Sequence, residues 1–183
     1  MFNFISSRKN AGKVLSSFVV LACAAFVLCV ASCKEPDGAS AENTVYGTWK
    51  SSYSEYFVIS SDSKTITNYY GSISDSTECY AGSDVFISAT DDTSGYIYLK
   101  YTRAGYDTNS DGYVDTYTTD GTLATDVGKW YAVAYKNLTS ASCSFCGAYL
   151  ATGVTSTDSL DEAKSTFTID NGYFSYYSEC TKQ

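Results

Sequence analysis

Hydrophobic residues are distributed along this chain in three different ways. A continuous apolar run covers residues 14–31 and is broken only by Ser16 and Ser17. Residues 34–44 are small or polar and have no apolar periodicity, so we expect them to form a flexible tether. From Val45 onward, short apolar segments alternate with polar turns, which is the pattern of a β-rich domain.

The segments after Val45 are rich in Tyr, Phe, Val, Ile and Thr, which favour strands, and are separated by residues that favour turns. The predicted strands cover residues 45–51, 55–60, 64–70, 83–89, 95–103, 113–119, 128–138 and 141–150. In the fifth segment, Ile97 and Leu99 share the face that is expected to pack on a core. Tyr98 and Lys100 share the other face, which is expected to point to solvent.

One short helix is predicted late in the chain. Ser159 and Glu162 have the spacing of a capping box, in which each side chain bonds to the backbone of the other residue. Beyond the helix, an Asn-Gly pair at 171–172 separates residues 167–169 from residues 173–177. This pair favours a tight hairpin whose second strand would close the domain.

Eight to ten short antiparallel strands with a single late helix predict an all-β fold. Because a closed barrel has no exposed sheet edges, an antiparallel β-barrel of this size is the expected architecture. A two-sheet β-sandwich is the alternative. The barrel is expected to be a single domain over residues 45–183, preceded by a leader at 1–32 and a tether at 33–44.

The N-terminal run has the form of a secretory signal peptide. Three positive charges precede it, at Arg8, Lys9 and Lys13. The run ends in Val-Ala-Ser-Cys at residues 30–33, which resembles the lipobox of bacterial lipoproteins. That resemblance implies that residues 1–32 are removed and that Cys33 carries diacylglycerol and a further acyl chain, such as palmitate.

A protein with two or more acyl chains is held stably on a membrane, since each buried methylene contributes about 0.8 kcal/mol. The expected location is therefore the cell envelope, at the periplasmic face or the cell surface. The alternative is a transmembrane anchor, because the run is close to the roughly 20 residues that span a bilayer. We prefer the lipoprotein because small residues stand directly before a cysteine at the boundary between apolar and polar sequence.

Composition narrows the classes of function. The chain contains no histidine, which removes mechanisms that need a histidine base or metal ligand, and we expect no enzymatic activity. The net charge is −8, and residues 1–32 contain basic but no acidic side chains, so the mature chain is still more acidic. Nucleic acid is therefore not an expected partner. An enzyme that uses Asp91 and Asp92 as acid and base is a weaker alternative, since adjacent acids usually mark a turn.

Four cysteines of the predicted domain are candidates for disulfides in an exported protein. They are Cys79, Cys143, Cys146 and Cys180. If residues 141–150 are extended, Cys143 and Cys146 lie roughly 10 Å apart on opposite faces, beyond the ~7 Å limit for bridging. Each would then pair with Cys79 or Cys180. A four-thiolate zinc site is an alternative, although a second close cysteine pair is missing.

Residues 107–115 resemble the calcium loops of EF-hand and dockerin modules. Oxygen-bearing side chains alternate along the segment, and a glycine permits the sharp turn between them. The candidate ligands are Asp107, Asn109, Asp111, Tyr113 (through its carbonyl) and Asp115. Because Thr118 stands where a bidentate glutamate is expected, we expect weak calcium binding that orders a loop. A solvated turn without metal is the alternative.

Two family resemblances extend this interpretation. Gly47-Thr48-Trp49 at the start of the first strand, followed by a late helix, is similar to lipocalins and bacterial lipocalin-like domains. This resemblance implies a barrel whose tryptophan packs across one end. The whole mature region, residues 33–183, and especially 128–138 and 170–180, is similar to paralogous treponemal lipoproteins, which implies a membrane-anchored lipoprotein.

The expected function is therefore non-enzymatic binding of a small apolar or amphipathic ligand, or of a host or envelope partner. Calcium, at residues 107–115, is the only cofactor that we expect. The alternative is a structural or adhesive surface lipoprotein whose filled barrel has no ligand cavity. The width of the barrel interior distinguishes the ligand-binding function from the structural or adhesive one.

Overall fold

A computed structural model describes residues 44–183, which form a closed antiparallel β-barrel. Eight strands form the ring, and one additional short strand extends it at one end. The all-β barrel expected from the sequence is thus confirmed, and the sandwich alternative is wrong. The predicted leader at 1–32, the predicted lipidation site Cys33 and all but the last residue of the predicted tether lie outside the described residues. Within residues 44–183, no helix is long and apolar enough to cross a bilayer.

The ring is a meander in which each strand pairs with its neighbours along the chain, and the last strand pairs with the first. The additional strand, β6, pairs only with the end of β5. The strands are β1 Gly47–Ser51, β2 Glu55–Ser60, β3 Thr65–Tyr70, β4 Glu78–Asp91, β5 Ser94–Tyr106, β6 Thr116–Thr118, β7 Trp130–Lys136, β8 Ser142–Gly147 and β9 Ser178–Lys182. The helix α1 covers Leu160–Thr166, and a 3-10 turn covers Asp75–Thr77.

The strands β4 and β5 are longer than predicted. They form a ribbon whose pairing contains three register shifts, and Asp84 adopts a positive φ of 54° within one of them. Bulges of this kind bend a long strand and increase its twist. The ribbon therefore curves with the barrel wall, and its far part carries β6 beyond the ring.

The predicted capping box forms at the start of α1. Ser159 Oγ accepts a hydrogen bond from the Glu162 N–H at 3.2 Å, and Glu162 Oε2 accepts one from the Ser159 N–H at 3.2 Å. Inside and just after the helix, Ala163 and Phe167 are fully buried. α1 therefore packs on the barrel through its small apolar side.

The predicted hairpin across residues 167–177 is wrong. Phe167 caps the end of α1 instead of beginning a strand. Asn171 Nδ2 donates to the carbonyls of the last two helical residues at 3.0 and 2.9 Å, so the Asn-Gly pair closes the helix. Gly172 takes a positive φ of 83°, and the last strand begins only at Ser178.

The barrel interior is filled by large side chains. Alternate residues of each strand point inward, and an eight-stranded barrel is just wide enough for side chains to fill it. The ring centroids of Trp49 and Phe145 are 5.7 Å apart, and those of Phe57 and Phe145 are 4.9 Å apart. Trp49 is fully buried, its Nε1 donates to the Val45 carbonyl at 2.7 Å, and Lys182 Nζ lies 5.1 Å from its ring centroid.

A second apolar core lies on the outer face of β5, β7 and β8. The chain after β8, including α1, covers this face and contributes Phe167, Tyr173 and Phe174. The expectation that Tyr98 faces solvent is therefore wrong, since Tyr98 is only 3% exposed. Its neighbour on the same face, Lys100, lies beyond this cover and is partly exposed.

Candidate binding site at the polar end of the barrel

The two ends of the barrel interior differ in chemistry. One end is apolar and contains Ile59, Ile97, Leu138 and the buried ring of Tyr135. The opposite end, which we call the polar end, lies where β2, β4 and β7 begin and where β3 and β5 finish. Its side chains are Glu55, Asn68, Cys79, Tyr80, Tyr101, Arg103, Tyr117 and Tyr131.

Three tyrosines form an aromatic cluster at the polar end. The rings of Tyr101 and Tyr131 are stacked with centroids 4.8 Å apart, and Tyr80 packs edge-on against both at 6.1 and 5.7 Å. Each of the three is partly buried and keeps some exposed surface. Burial raises the pKa of all three hydroxyls, so they are neutral phenols at physiological pH.

Two buried polar atoms of the polar end have no hydrogen-bond partner among the described residues. They are the Tyr80 hydroxyl and Arg103 Nε. Arg103 Nε lies 3.8 Å from Glu78 Oε1, which is too long for a hydrogen bond. Because buried polar groups are nearly always paired, each of these two atoms is expected to bond to water or to a bound group.

Glu55 and Glu78 are carboxylates of the polar end, and both oxygens of Glu55 already accept hydrogen bonds. Oε1 accepts from Asn68 Nδ2 at 3.1 Å, and Oε2 accepts from Ser178 Oγ at 2.8 Å. These bonds connect β2 to β3 and, across β1, to β9. Glu55 is thus a structural link in the barrel wall.

Cys79 lies beside Tyr117 because β6 pairs with the end of β5 and contacts β4. Burial raises the pKa of the Cys79 thiol, and the hydrogen bond with the Tyr117 hydroxyl offsets only part of that rise. A neutral thiol is a poor nucleophile. The groups of this end are therefore equipped for binding through aromatic faces and hydrogen bonds.

The four cysteines are free thiols in three different surroundings. Cys143 and Cys180 belong to the inner core, whereas Cys146 belongs to the outer core. Cys79 is at the polar end. The structure thus gathers no group of four cysteines, and the disulfide prediction stays a prediction.

The predicted calcium loop is an exposed turn between β5 and β6. Asp107 Oδ1 accepts from the Ser110 N–H and Oδ2 from the Gly112 N–H, each at 2.7 Å. These amide hydrogen bonds, first that of Gly112, lower the pKa of Asp107. Within residues 44–183, no three acidic or thiol side chains are close enough together to hold a metal ion. Calcium binding therefore stays a prediction.

Asp91 and Asp92 are exposed in the turn between β4 and β5. Asp91 Oδ1 accepts from the Thr93 N–H at 2.8 Å and from the Thr93 hydroxyl at 3.0 Å. These bonds shape the turn, and a turn is the structure that adjacent acids usually mark.

Sequence patterns alone did not single out Tyr80, Tyr101, Arg103 or Tyr117. These residues belong to three strands, and they come together through strand pairings that contain register shifts. The only sequence signal was the general richness in tyrosine. The polar end therefore forms only when these distant strands pair and the barrel closes.

A concavity lies outside the barrel, between α1 and residues 154–158. It has a volume of about 340 Å³, is widely open to solvent, and has Lys129 and Glu162 on its wall. None of the groups that lack partners lies there. The polar end is therefore the better candidate.

The fold and this site together define a closed eight-stranded barrel with one filled apolar end and one polar, tyrosine-lined end. Comparison with protein-family models, curated proteins and solved structures gives no match.

Proposed function

We propose that this protein is a lipid-anchored, non-enzymatic envelope lipoprotein that binds a small amphipathic ligand, or an amphipathic group of a surface partner, at the polar end. The lipobox-like sequence at residues 30–33 supports the anchor. The resemblance to treponemal lipoproteins supports the same class, and the resemblance to lipocalins supports binding at a barrel end.

The observation that carries the binding proposal is the unpartnered Tyr80 hydroxyl of the tyrosine cluster, together with the unpartnered Arg103 Nε on the neighbouring strand. The Tyr80 hydroxyl can donate or accept a hydrogen bond, and Arg103 Nε can donate one. The exposed parts of Tyr101 and Tyr131 offer apolar surface next to them. A ligand with an oxygen acceptor on a short apolar body would pair the two atoms and cover the rings.

The filled apolar end limits how far such a ligand can enter. Trp49, Phe57 and Phe145 are buried to 2% exposure or less and occupy the middle of the barrel. A long acyl chain would have to displace these rings. We therefore propose a ligand that binds at the end of the barrel and is no longer than a few carbon–carbon bonds.

Nearby carboxylates limit the ligand's charge. Glu55 and Glu78 both belong to this end, and only Arg103 balances them within it. A neutral or zwitterionic ligand is favoured over an anion because these carboxylates would repel a second negative group.

Native mass spectrometry tests both the lipid anchor and the ligand binding. The protein is extracted from its own cells in mild detergent. The wild-type chain is expected to begin at acylated Cys33, and its measured mass is expected to include a co-purifying small molecule. Tyr80→Phe removes only the unpartnered hydroxyl and should fold normally but lose this molecule, and Arg103→Gln should lose it too. Tyr176→Phe is the matched control, since Tyr176 is 81% exposed.

The outcome that contradicts ligand binding is a wild-type barrel with no added mass. An unmodified Met1 or Cys33 at the N-terminus would contradict the anchor. Retention of the same molecule by Tyr80→Phe and Arg103→Gln would place binding elsewhere.

The alternative is a structural or adhesive surface lipoprotein. The exposed tyrosines favour it, since Tyr53, Tyr113 and Tyr176 are 76%, 77% and 81% exposed. Such side chains combine apolar area with a polar hydroxyl, as protein-binding surfaces do. An empty wild-type barrel, together with loss of envelope or host-surface binding in a triple Tyr→Ser variant at these positions, would support this alternative.

A further inference from the structure

Cys143 and Cys180 lie directly opposite each other inside the barrel. The antiparallel register of β8 and β9 pairs these two residues. Each is only 2% exposed, and both belong to the inner core. Because directly opposed residues of an antiparallel pair project from the same face, both thiols point into the interior.

The register also sets the separation of the two residues. The Lys182 N–H donates to the Ala141 carbonyl at 2.9 Å, so these residues form a hydrogen-bonded pair. Cys143 and Cys180 are two positions further along and are a pair of the same kind, with Cα atoms about 5.5 Å apart. Disulfides join Cα atoms that are roughly 4.4–6.8 Å apart, so this pair is within bridging distance.

The two remaining cysteines have other neighbours. Cys146 faces the outer core, where the backbone of Ser175 and Tyr176 contacts its sulfur. Cys79 is at the polar end beside Tyr117. Cys146 is paired with Ala134 across the sheet, and neither thiol is opposite a member of the inner pair.

We propose that Cys143 and Cys180 form a disulfide in the exported protein and that Cys79 and Cys146 remain thiols. This inference rests on the export part of the proposed function, because a thiol–disulfide oxidoreductase of the envelope is the oxidant. The thiolate of one cysteine attacks the disulfide of the oxidant and releases one thiol. The thiolate of the other cysteine then displaces the second thiol, so two protein thiols lose two electrons and two protons and the oxidant becomes a dithiol.

The bridge forms before β9 is docked. Burial raises the pKa of both thiols to about 12, so the closed barrel contains almost none of the thiolate that the exchange needs. Once formed, the bridge fixes β9 to β8. Since β9 is the strand that pairs with β1 to complete the ring, the bridge holds the barrel closed.

Peptide mapping of the full-length chain, purified in detergent and alkylated without reductant, tests the pairing. Trypsin leaves Cys143 and Cys146 together in residues 137–164 and places Cys180 in residues 165–182. Chymotryptic cleavage after Phe145 then separates Cys143 from Cys146. The expected result is a cross-linked pair of peptides that contain Cys143 and Cys180, with alkylated Cys79 and Cys146.

Two variants test the bridge through its effect on the melting temperature. Reduction should lower the melting temperature of the wild type and of the matched control Cys146→Ser by about 10 °C. The melting temperature of Cys143→Ser should not depend on reductant. If Cys143→Ser does not fold, the peptide map of the wild type still decides the pairing.

Refolding in a glutathione redox buffer separates the failure of this inference from the failure of the proposed export. A bridge that forms on refolding but is absent from cell-derived protein supports the pairing and contradicts export to an oxidising compartment. Four free thiols in both samples would overturn the pairing, and so would a bridge that includes Cys79 or Cys146.

Discussion

Glu55 shows how a single charged residue is accommodated in the wall of this barrel. Its two carboxylate oxygens accept from Asn68 on β3 and from Ser178 on β9, and its backbone N–H donates to Ser51 Oγ at 3.1 Å. A half-buried carboxylate is favourable only when such partners replace water. The residue therefore joins four strands at one point.

Glu55→Ala should lower the free energy of unfolding by about 1–3 kcal/mol, because the nearly buried Asn68 amide loses one of its two acceptors. Glu55→Gln should retain most of the stability, since its amide oxygen can accept from Asn68 and its amide nitrogen can donate to Ser178. Urea unfolding followed by tryptophan fluorescence measures both. Equal losses in the two variants would show that the hydrogen bonds are not the cause.

At the scale of elements, short-range signals predicted local structure well. The Ser159–Glu162 capping box and the segment at residues 55–60 both appear where the sequence indicates, because their determinants lie within a few residues. The hairpin at 167–177 failed because Asn171 bonds to the helix end, an interaction that competes with a β-turn. An Asn-Gly pair can thus end a helix, as it does here, instead of forming the turn of a hairpin.

The turn between β5 and β6 gives a test at the same scale. Calcium is expected to shift the amide NMR signals of residues 109–112, with half-saturation at about 10⁻⁴ to 10⁻³ M, as in weak extracellular sites. Asp107→Asn should abolish the shifts, because Asp107 is the first predicted ligand. Wild-type spectra that do not change at 10⁻² M calcium would leave the solvated turn as the correct interpretation.

For the whole molecule, the alternation of apolar and polar residues predicted the barrel and its inner face. It could not predict the outer core, because the same alternation is compatible with either solvent or a covering helix outside Tyr98. It could not predict the polar end either, since Tyr80, Arg103 and Tyr117 meet only through the bulged pairing of three strands. Long-range register is the information that local patterns lack.

The filled interior leads to a prediction about the whole molecule. Phe145→Ala should destabilise the barrel by about 3–5 kcal/mol, because it leaves a cavity between Trp49 and Phe57. The same variant should bind benzene or xenon in that cavity, whereas the wild type should not. Thermal unfolding with and without the probe measures both effects. Tyr176→Ala, a change at an exposed position, is the control and should alter stability by less than about 0.5 kcal/mol.

The pairing of the first barrel strand with the last one has a consequence for biosynthesis. β1 leaves the ribosome first, but its partner β9 is made only after every other strand. Contacts between such distant segments form late, since a long loop must close before they are gained. A nascent chain therefore cannot close its barrel until translation is complete, and a truncation between Gly147 and Ser178 leaves β1 and β8 as two unpaired edges that are prone to self-association.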